Sequence, residues 1–169
     1  MKVTQIGHVA YVCKDLERSV AFYRDVLGFT PKFSLSYGDF LDMNLDEARR
    51  AGVDPDPEMV ARLSAKKDRT WITYMAFGDC QFVELFDANG ATLPGSTDWD
   101  HLNFSHLALL VDDIQAACAE LTARGVPIDT APKIGSDQTW QMWSHDPDGN
   151  KIEFMQYTEN SWQLVGRPE

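Results

Sequence analysis

The sequence predicts an α+β fold made of two βαβββ modules in tandem. The main observation is an internal repeat, in which residues 8–29 and 106–126 align with His8 opposite His106, 98 positions apart. In both copies an apolar strand-like run is followed by an Asp and then by a helical pattern that ends at a Gly. Both copies also end in a strand-like run with a carboxylate in its middle. Each half of the chain therefore supplies one histidine and one glutamate at equivalent places.

The first copy begins with a half-buried strand, because residues 6–13 alternate between apolar and polar side chains. Asp15 is expected to cap a helix that runs to about Leu27. Gly28 then ends the helix, since glycine adopts the left-handed conformation that helix ends often require. A second strand follows at roughly 30–36.

The second copy repeats this order. A strand is expected at 105–111, and a helix begins after Asp113 and ends at Gly125. Two further strands form a hairpin around a turn with Pro and Gly at suitable positions, at about 139–145 and 151–157.

The first copy is the longer one. Its histidine and glutamate are 76 positions apart, whereas those of the second copy are 47 apart, so the first copy holds 29 additional residues. They are expected at about 38–68, with helices at 45–51 and 57–63. The chain then divides into module one, a linker, module two and a tail, at about 4–87, 88–103, 104–157 and 158–169.

The insertion at 38–68 has three possible roles: a cover over a substrate pocket, a dimer contact, or a tolerated surface excursion. We favour the cover. The insertion interrupts the first module between strands that, by the repeat, flank the cavity. Three apolar residues in an otherwise Asp- and Arg-rich region also need something to pack against: Phe40, Leu41 and Met43.

The repeated His and Glu residues are candidate metal ligands. Alternate residues of a strand share a face, so Glu84 lies on the same face as Phe82 and Phe86. Burial of a carboxylate there costs several kcal/mol unless it has a partner. One His in an apolar strand is commonly structural and one Glu commonly faces solvent. Their symmetric placement in both copies instead favours a four-ligand site, made of His8, Glu84, His106 and Glu153.

This ligand set contains no thiolate. It therefore disfavours a structural zinc site and suits Zn²⁺, Ni²⁺, Co²⁺, Mn²⁺ or Fe²⁺ at an open site. The remaining histidines, His101 and His145, are expected at the surface. Trp140, Met142 and Trp143 either line a pocket or fill the core, and core packing is the simpler expectation.

The composition excludes several classes of function. The net charge of −11 and the absence of a Lys/Arg cluster argue against nucleic-acid binding. No apolar run approaches the ~20 residues of a membrane span, and no signal pattern is present at the start, so a cytoplasmic protein is expected. The three cysteines form no Cys-x-x-Cys pair, which disfavours a zinc knuckle or a disulfide framework.

Two segments resemble the vicinal oxygen chelate superfamily, which includes glyoxalase I, bleomycin resistance proteins and dioxygenases. Residues 22–29 read Phe-Tyr-Arg-Asp-Val-Leu-Gly-Phe, and residues 146–153 read Asp-Pro-Asp-Gly-Asn-Lys-Ile-Glu. The resemblance covers roughly 4–157 and implies a curved mixed sheet around a metal-binding cavity. It is nearest to glyoxalase I (lactoylglutathione lyase)-like members, whose ligand order is His or Gln, Glu, His and Glu.

This resemblance implies that one divalent metal acts as a Lewis acid on two neighbouring oxygens of a small-molecule substrate. Glu153 would be the base that moves a proton between adjacent carbons, and Glu84 a ligand or second base. Three alternatives stay open: an acyl-CoA epimerase similar to methylmalonyl-CoA epimerase, an iron-dependent extradiol dioxygenase, and a non-catalytic small-molecule binding protein.

We predict a homodimer. Modules of short strands leave sheet edges whose unpaired backbone groups favour pairing with another chain, and similar superfamily members are usually dimeric. Light scattering at micromolar concentration should give twice the 19.1 kDa mass of the chain. A monomer under these conditions would contradict the prediction.

Overall fold

The computed structural model describes residues 6–78, 80–90 and 104–167. The chain divides into two compact units, Met1–Thr92 and Leu93–Glu169, and each contains one four-stranded mixed sheet with helices. The α+β class and the tandem βαβββ modules predicted from the sequence are confirmed. None of the described helices is long and apolar enough to cross a membrane.

The elements of the first unit follow the predicted order, with a helical pair inserted between its second and third strands. They are β1 (His8–Cys13), α1 (Leu16–Ala21), β2 (Thr30–Ser36), α2 (Tyr37–Ala51), α3 (Pro57–Ser64), β3 (Thr70–Phe77) and β4 (Gln81–Asp87).

The first helix begins where the sequence predicts and ends differently. The Asp15 side chain accepts a hydrogen bond from the backbone N–H of Arg18, as a helix cap does. α1 then gives way to a wider π-helical turn over Phe22–Val26, in which the N–H of Leu27 reaches back five residues. The predicted regular helix to Leu27 is therefore wrong in its last turn, although Gly28 does end it with a φ of +74°.

The strands of the first sheet lie in the order β1-β4-β3-β2, with β1 parallel to β4 and the other pairs antiparallel. β4 is therefore a central strand. Val83 and Leu85 are fully buried on one face of it. Glu84 points to the opposite face, because side chains alternate along a strand.

The second unit repeats this architecture and adds a short terminal helix. Its elements are β5 (Leu107–Leu110), α4 (Ile114–Ala123), β6 (Thr130–Ile134), β7 (Trp140–His145), β8 (Lys151–Gln156) and α5 (Trp162–Val165). The sheet order β5-β8-β7-β6 is the counterpart of the first. The predicted strand at 105–111 is shorter than expected, so His106 lies just before β5 rather than inside it.

The turn between β7 and β8 is held by one buried carboxylate. Asp146 accepts hydrogen bonds from the backbone N–H groups of Asp148 and Asn150 and from the Asn150 side chain, at 2.8–2.9 Å. Gly149 has a φ of +88°, which a side chain would make costly. The turn predicted from this sequence is confirmed, and it fixes the hairpin that carries Glu153.

The tail contains α5 and docks on the loop between β6 and β7. Trp162 N–H donates to the carbonyl of Asp137, and Gln163 bridges the side chains of Asp137 and Thr139. A helix was not predicted in the tail, because α5 is only one turn long and its order comes from these contacts.

The insertion forms a helical pair that packs on the first sheet. α2 starts at Tyr37, eight residues before the predicted start at 45, because Ser36 and Asp39 form a capping box: each side chain binds the other's backbone N–H. A buried cluster joins the pair to the sheet, made of Tyr37, Leu41 and Leu63, with Phe40, Leu45, Met59, Val60 and Trp71 packed against it.

The three apolar residues of the insertion that suggested a cover over the substrate pocket differ in their packing. Phe40 stacks on Trp71, with ring centroids 4.1 Å apart, and Leu41 is buried in the cluster. Met43 is 56% exposed. The cluster lies where β3 begins, whereas Tyr74 and Glu84 pair further along the sheet. A role of the insertion as a cover over a substrate pocket, or as a dimer contact, therefore stays a prediction.

The two ends of the insertion meet at its base. Backbone N–H groups of Tyr37 and Gly38 donate to the carbonyls of Arg69 and Lys67, both at 2.9 Å. A Cβ at position 38 would lie 3.1 Å from the Lys67 carbonyl oxygen, so a larger residue there would require the Lys67 backbone to shift by a few tenths of an ångström. Asp87 at the end of β4 accepts hydrogen bonds from both the Tyr37 hydroxyl and Arg69, at 3.0 Å each.

We predict that the α2–α3 pair contributes to the stability of the first module through its buried cluster. Leu63→Ala should lower the free energy of unfolding by about 2–5 kcal/mol, because Leu63 is 2% exposed and its truncation leaves a cavity. Met43→Ala is the matched control and should change it by less than about 0.5 kcal/mol. Urea unfolding measures both, and equal effects would contradict the assignment of the cluster.

Candidate metal centre

The first module brings His8 and Glu84 together on one face of its sheet. Ala10, two residues after His8, is the register partner of Glu84 across the parallel β1–β4 pair. Nδ1 of His8 lies 3.4 Å from Oε1 of Glu84. The carboxylate is 6% exposed and the imidazole 54%, so the histidine is open to solvent while the glutamate is not.

The buried Glu84 carboxylate is only partly satisfied. Tyr74 lies directly across from Glu84 on β3, and the interaction of its hydroxyl with this carboxylate, followed by burial, raises the pKa of Tyr74 to about 12. Oε1 is buried and forms no hydrogen bond with the part of the chain that the structure describes. A buried carboxylate oxygen without a donor costs free energy, and a cation beside His8 would offset that cost.

Tyr74 is held in place by aromatic neighbours. It stacks on Phe33 with ring centroids 4.3 Å apart and meets Phe82 and His8 edge-on at 6.2 and 6.5 Å. The face of the sheet that carries His8 and Glu84 is therefore lined by aromatic rings. Because the ring of Tyr74 is fixed on several sides, its hydroxyl is fixed as well.

The second module contains the equivalent pair, with the same register. Ala108, two residues after His106, is the partner of Glu153 across the parallel β5–β8 pair. Nε2 of His106 lies 3.3 Å from Oε2 of Glu153, and the two side chains are 28% and 13% exposed. Each module therefore contains one His–Glu pair at the equivalent place in its sheet, as the internal repeat predicted.

Glu153, the carboxyl of the second pair, has a raised pKa. Burial raises its pKa, the negative charge of Asp137 adds to the rise, and His106 opposes it. A raised pKa brings a carboxylate closer to the range in which it can accept a proton at neutral pH.

Two further residues position His106. Ser105 Oγ lies 2.9 Å from Nδ1 of His106, and because a hydroxyl both donates and accepts, it suits either imidazole tautomer. When Ser105 accepts from Nδ1–H, the lone pair on Nε2 is free for a metal ion. Trp143 meets the imidazole edge-on with ring centroids 4.8 Å apart, so the expectation that Trp143 only fills the core is wrong.

The donor set fits a divalent metal. It offers imidazole nitrogens and carboxylate oxygens, and it includes the buried Oε1 of Glu84, which has no hydrogen bond. Within the described part of the chain, however, no three His, Cys, Asp or Glu side chains form a group able to hold a metal ion. Each module supplies two candidate ligands, and their joint role in one site stays a prediction.

The other predicted positions have structural roles. Nδ1 of His145 lies 2.9 Å from Oδ2 of Asp129, and both side chains are well exposed, as expected of a surface histidine. Met142 is fully buried in the core and Trp140 is half-buried. His101 lies outside the described residues.

Sequence reasoning missed Tyr74 and Ser105. Ser105 had a signal, because it adjoins His106 in the chain. No signal in the sequence pointed to Tyr74, because only the register between β3 and β4 places it opposite Glu84.

Comparison with known proteins agrees with this fold. Residues 5–154 match the model of the protein family described as the Glyoxalase/Bleomycin resistance protein/Dioxygenase superfamily. Because the match covers most of the chain, this protein belongs to that superfamily, and the resemblance seen in the sequence is confirmed.

Individual relatives are distant. The chain is 28% identical over 159 residues to a lactoylglutathione lyase from Pseudomonas putida, covering 90% of this chain and 84% of that protein. It is 29% identical over 140 residues to a 2-epi-5-epi-valiolone epimerase from Actinomyces sp, covering 78% and 66%. A glyoxylase/bleomycin resistance protein/dioxygenase domain from Frankia sp. EAN1pec has the same fold, with a TM-score of 0.64 at 14% identity, covering 97% and 99%.

We predict that His106→Ala lowers the amount of divalent metal bound per chain. The variant removes one imidazole donor and leaves Glu153 buried without that partner. His145→Ala is the matched control and should bind as much metal as the unaltered protein, because its imidazole faces Asp129. Binding should also weaken below about pH 6, because imidazole ligands must be neutral. Metal analysis after dialysis measures the metal content of both variants and its dependence on pH. If His106→Ala kept the full amount of metal per chain, His106 would not be a ligand.

Proposed function

We propose that this protein is a divalent-metal-dependent, glyoxalase I-like lyase or isomerase. It would shift a proton between two carbons beside a chelated carbonyl of a small substrate, such as a hemithioacetal. The observation that carries the proposal is the duplicated His–Glu pair, in which the buried Oε1 of Glu84 faces His8 without a hydrogen bond.

The proposed ligands are His8, Glu84, His106 and Glu153, from both modules of one chain or of two chains in a homodimer. Two carboxylates balance the charge of a divalent ion, and two neutral imidazoles complete the set. When bound, the metal supplies Lewis-acid stabilisation of the negative charge that develops on the substrate oxygens.

Glu153 is the proposed base. Its carboxylate takes the proton from the carbon that carries sulfur and returns it to the neighbouring carbonyl carbon, so that a hemithioacetal becomes a thioester with no atom gained or lost. Partial burial on the sheet raises the pKa of the carboxylate. His106 lies beside Glu153 and limits the rotation of its carboxylate.

Epimerisation is the second candidate, because one of the relatives is an epimerase. The same metal and the same first proton transfer would serve both reactions. An epimerase returns the proton to the same carbon from the other side, and Glu84 would then act as a second base. The sequence-based alternative, an acyl-CoA epimerase, belongs to this class.

The two candidates are separated by substrate. Protein purified without chelator is first analysed for Zn, Ni, Co, Mn and Fe, then loaded with each metal. Thioester formation from the hemithioacetal of methylglyoxal and glutathione supports the lyase. Exchange of the substrate's α-proton with deuterated solvent in methylmalonyl-CoA, without thioester formation in the first assay, supports an epimerase. No turnover of either with any metal contradicts both.

We predict that Glu153→Gln lowers kcat by about 10²–10⁴-fold, because the amide keeps the shape of the side chain but cannot accept the proton. Glu159→Gln, an exposed substitution of the same kind in the tail that follows the second module, should leave kcat unchanged. Steady-state kinetics of folded, metal-loaded variants provide the test. An unaltered kcat in Glu153→Gln would exclude Glu153 as the base.

A further inference from the structure

We infer that Gln141 is a positioning residue of the second module: it holds the indole of Trp143 against the imidazole of His106 and so fixes that imidazole for metal binding. The inference rests on the proposed function, because it concerns one of the proposed metal ligands. It adds a residue that acts on this ligand through Trp143.

Gln141 and Trp143 lie on the same face of β7, because they are two residues apart on one strand. Trp143 is the register partner of Glu153 on β8, and Gln141 is the partner of Met155. Both β7 side chains are half-buried. The face of the sheet that carries the candidate ligand Glu153 therefore also carries an amide and an indole as neighbours.

The amide and the indole are joined by a hydrogen bond. The indole N–H of Trp143 donates to Oε1 of Gln141 at 3.1 Å. The N–H is the one polar group of an indole, so this bond determines which way the ring system is turned. A buried donor without an acceptor would cost free energy. Gln141 thus selects one orientation of the Trp143 ring.

The orientation of Trp143 matters because its ring packs against a candidate ligand. The indole meets the imidazole of His106 edge-on, with ring centroids 4.8 Å apart and planes at 72°. Ser105 Oγ lies 2.9 Å from Nδ1 of the same imidazole, and Nε2 lies 3.3 Å from Oε2 of Glu153. Partners that orient a ligating imidazole typically matter 10–100-fold for metal affinity or activity.

A glycine beside the amide leaves room for this arrangement. A Cβ at Gly135 would overlap Nε2 of Gln141 and would lie 2.6 Å from Oδ1 of Asp137. Because the φ of Gly135 lies outside the left-handed region, the backbone itself does not exclude alanine. An alanine at this position would therefore act by displacing the two side chains.

The first module lacks this amide. By the repeat, Tyr74 takes the place of Trp143 and Ile72 takes the place of Gln141, across from Glu84 and its neighbour. Ile72 is apolar and 2% exposed, and it offers no acceptor. A hydrogen-bonded anchor on the strand residue next to the ring is therefore a feature of the second module.

The first measurement tests the contact itself, without metal. The signal of the Trp143 indole N–H in a ¹H–¹⁵N NMR spectrum is identified by its loss in Trp143→Phe. Gln141→Leu keeps the size of the side chain but has no acceptor, so this signal should shift and exchange faster with solvent. Gln141→Glu keeps an acceptor, so exchange should stay slow. An unchanged signal in Gln141→Leu would overturn the inference.

The second measurement is the affinity for Co²⁺, by isothermal titration calorimetry and by the visible absorption of the bound ion. Gln141→Leu should bind Co²⁺ about 10-fold more weakly. Gln163→Leu is the matched control, because it makes the same substitution in an amide that bridges Asp137 and Thr139. It should bind Co²⁺ as the unaltered protein does, whereas a general loss of stability would appear in both variants.

A double variant separates positioning through Trp143 from a direct effect of Gln141. Trp143→Phe removes the N–H donor and should itself weaken Co²⁺ binding. Adding Gln141→Leu to it should change the affinity little further, because the two residues act as one unit. Full Co²⁺ affinity in Gln141→Leu would overturn the inference, and so would losses that multiply in full in the double variant.

Gly135→Ala reaches the same contact without altering Gln141 or Trp143. It should displace the amide, shift the Trp143 N–H signal and weaken Co²⁺ binding. A shifted signal with full Co²⁺ affinity would show that the orientation of Trp143 does not matter for metal binding and would overturn the inference.

Failure of the proposed function gives a different result. If the unaltered protein binds no Co²⁺, or if His106→Ala binds it equally well, the metal site itself is wrong and the inference fails with it. If the unaltered protein binds Co²⁺ through His106 but Gln141→Leu binds it with full affinity, only the inference is overturned.

Discussion

The burial of a carboxylate beside an imidazole in the last strand of each module is the constraint on which the rest of the structure depends. Glu84 and Glu153 lie on central strands, next to residues that form the core. An ionised group in such a place is stable only if something compensates its charge. The parallel pairing of each module's first and last strands supplies a histidine at that place, and the helix between the first two strands covers the opposite face.

The two modules solve this problem in different ways. In the first, Glu84 is almost fully buried, lies across from Tyr74 and faces Nδ1 of a solvent-open histidine. In the second, Glu153 faces Nε2 of a more buried histidine, which a serine holds from its other side. A duplicated framework therefore carries two unlike electrostatic environments.

Much of the architecture could be predicted, because the signals are local. The caps Asp15 and Asp113 bind the first turns of their helices, and the Pro–Gly turn before β8 closes a hairpin. Each is a short-range pattern with a direct physical cause. The early start of α2 also had a local signal, the Ser36–Asp39 capping box, but the mixed polar and aromatic run that follows it concealed the helical pattern.

The candidate site was predictable only in part. The repeat identified the four ionisable residues, because symmetry of position survives in the sequence. It did not identify their neighbours. Tyr74 and Trp143 lie beside the two glutamates because of strand register, which the periodicity of the sequence does not specify. The packing of the insertion could not be predicted either, because Phe40 and Leu41 pack against Trp71 and the buried cluster, which lie elsewhere in the chain.

The closed base of the insertion has a consequence for how this module can change. The segment leaves the sheet after Ser36 and returns at Thr70, and two backbone hydrogen bonds join its ends. Its length is thereby uncoupled from the pairing of β2 with β3, since longer loops add little closure entropy. Exposed positions of α2 and α3 can therefore diverge or accept added residues while β2 and β3 keep their alignment, whereas the buried residues that pack on Trp71 stay constrained.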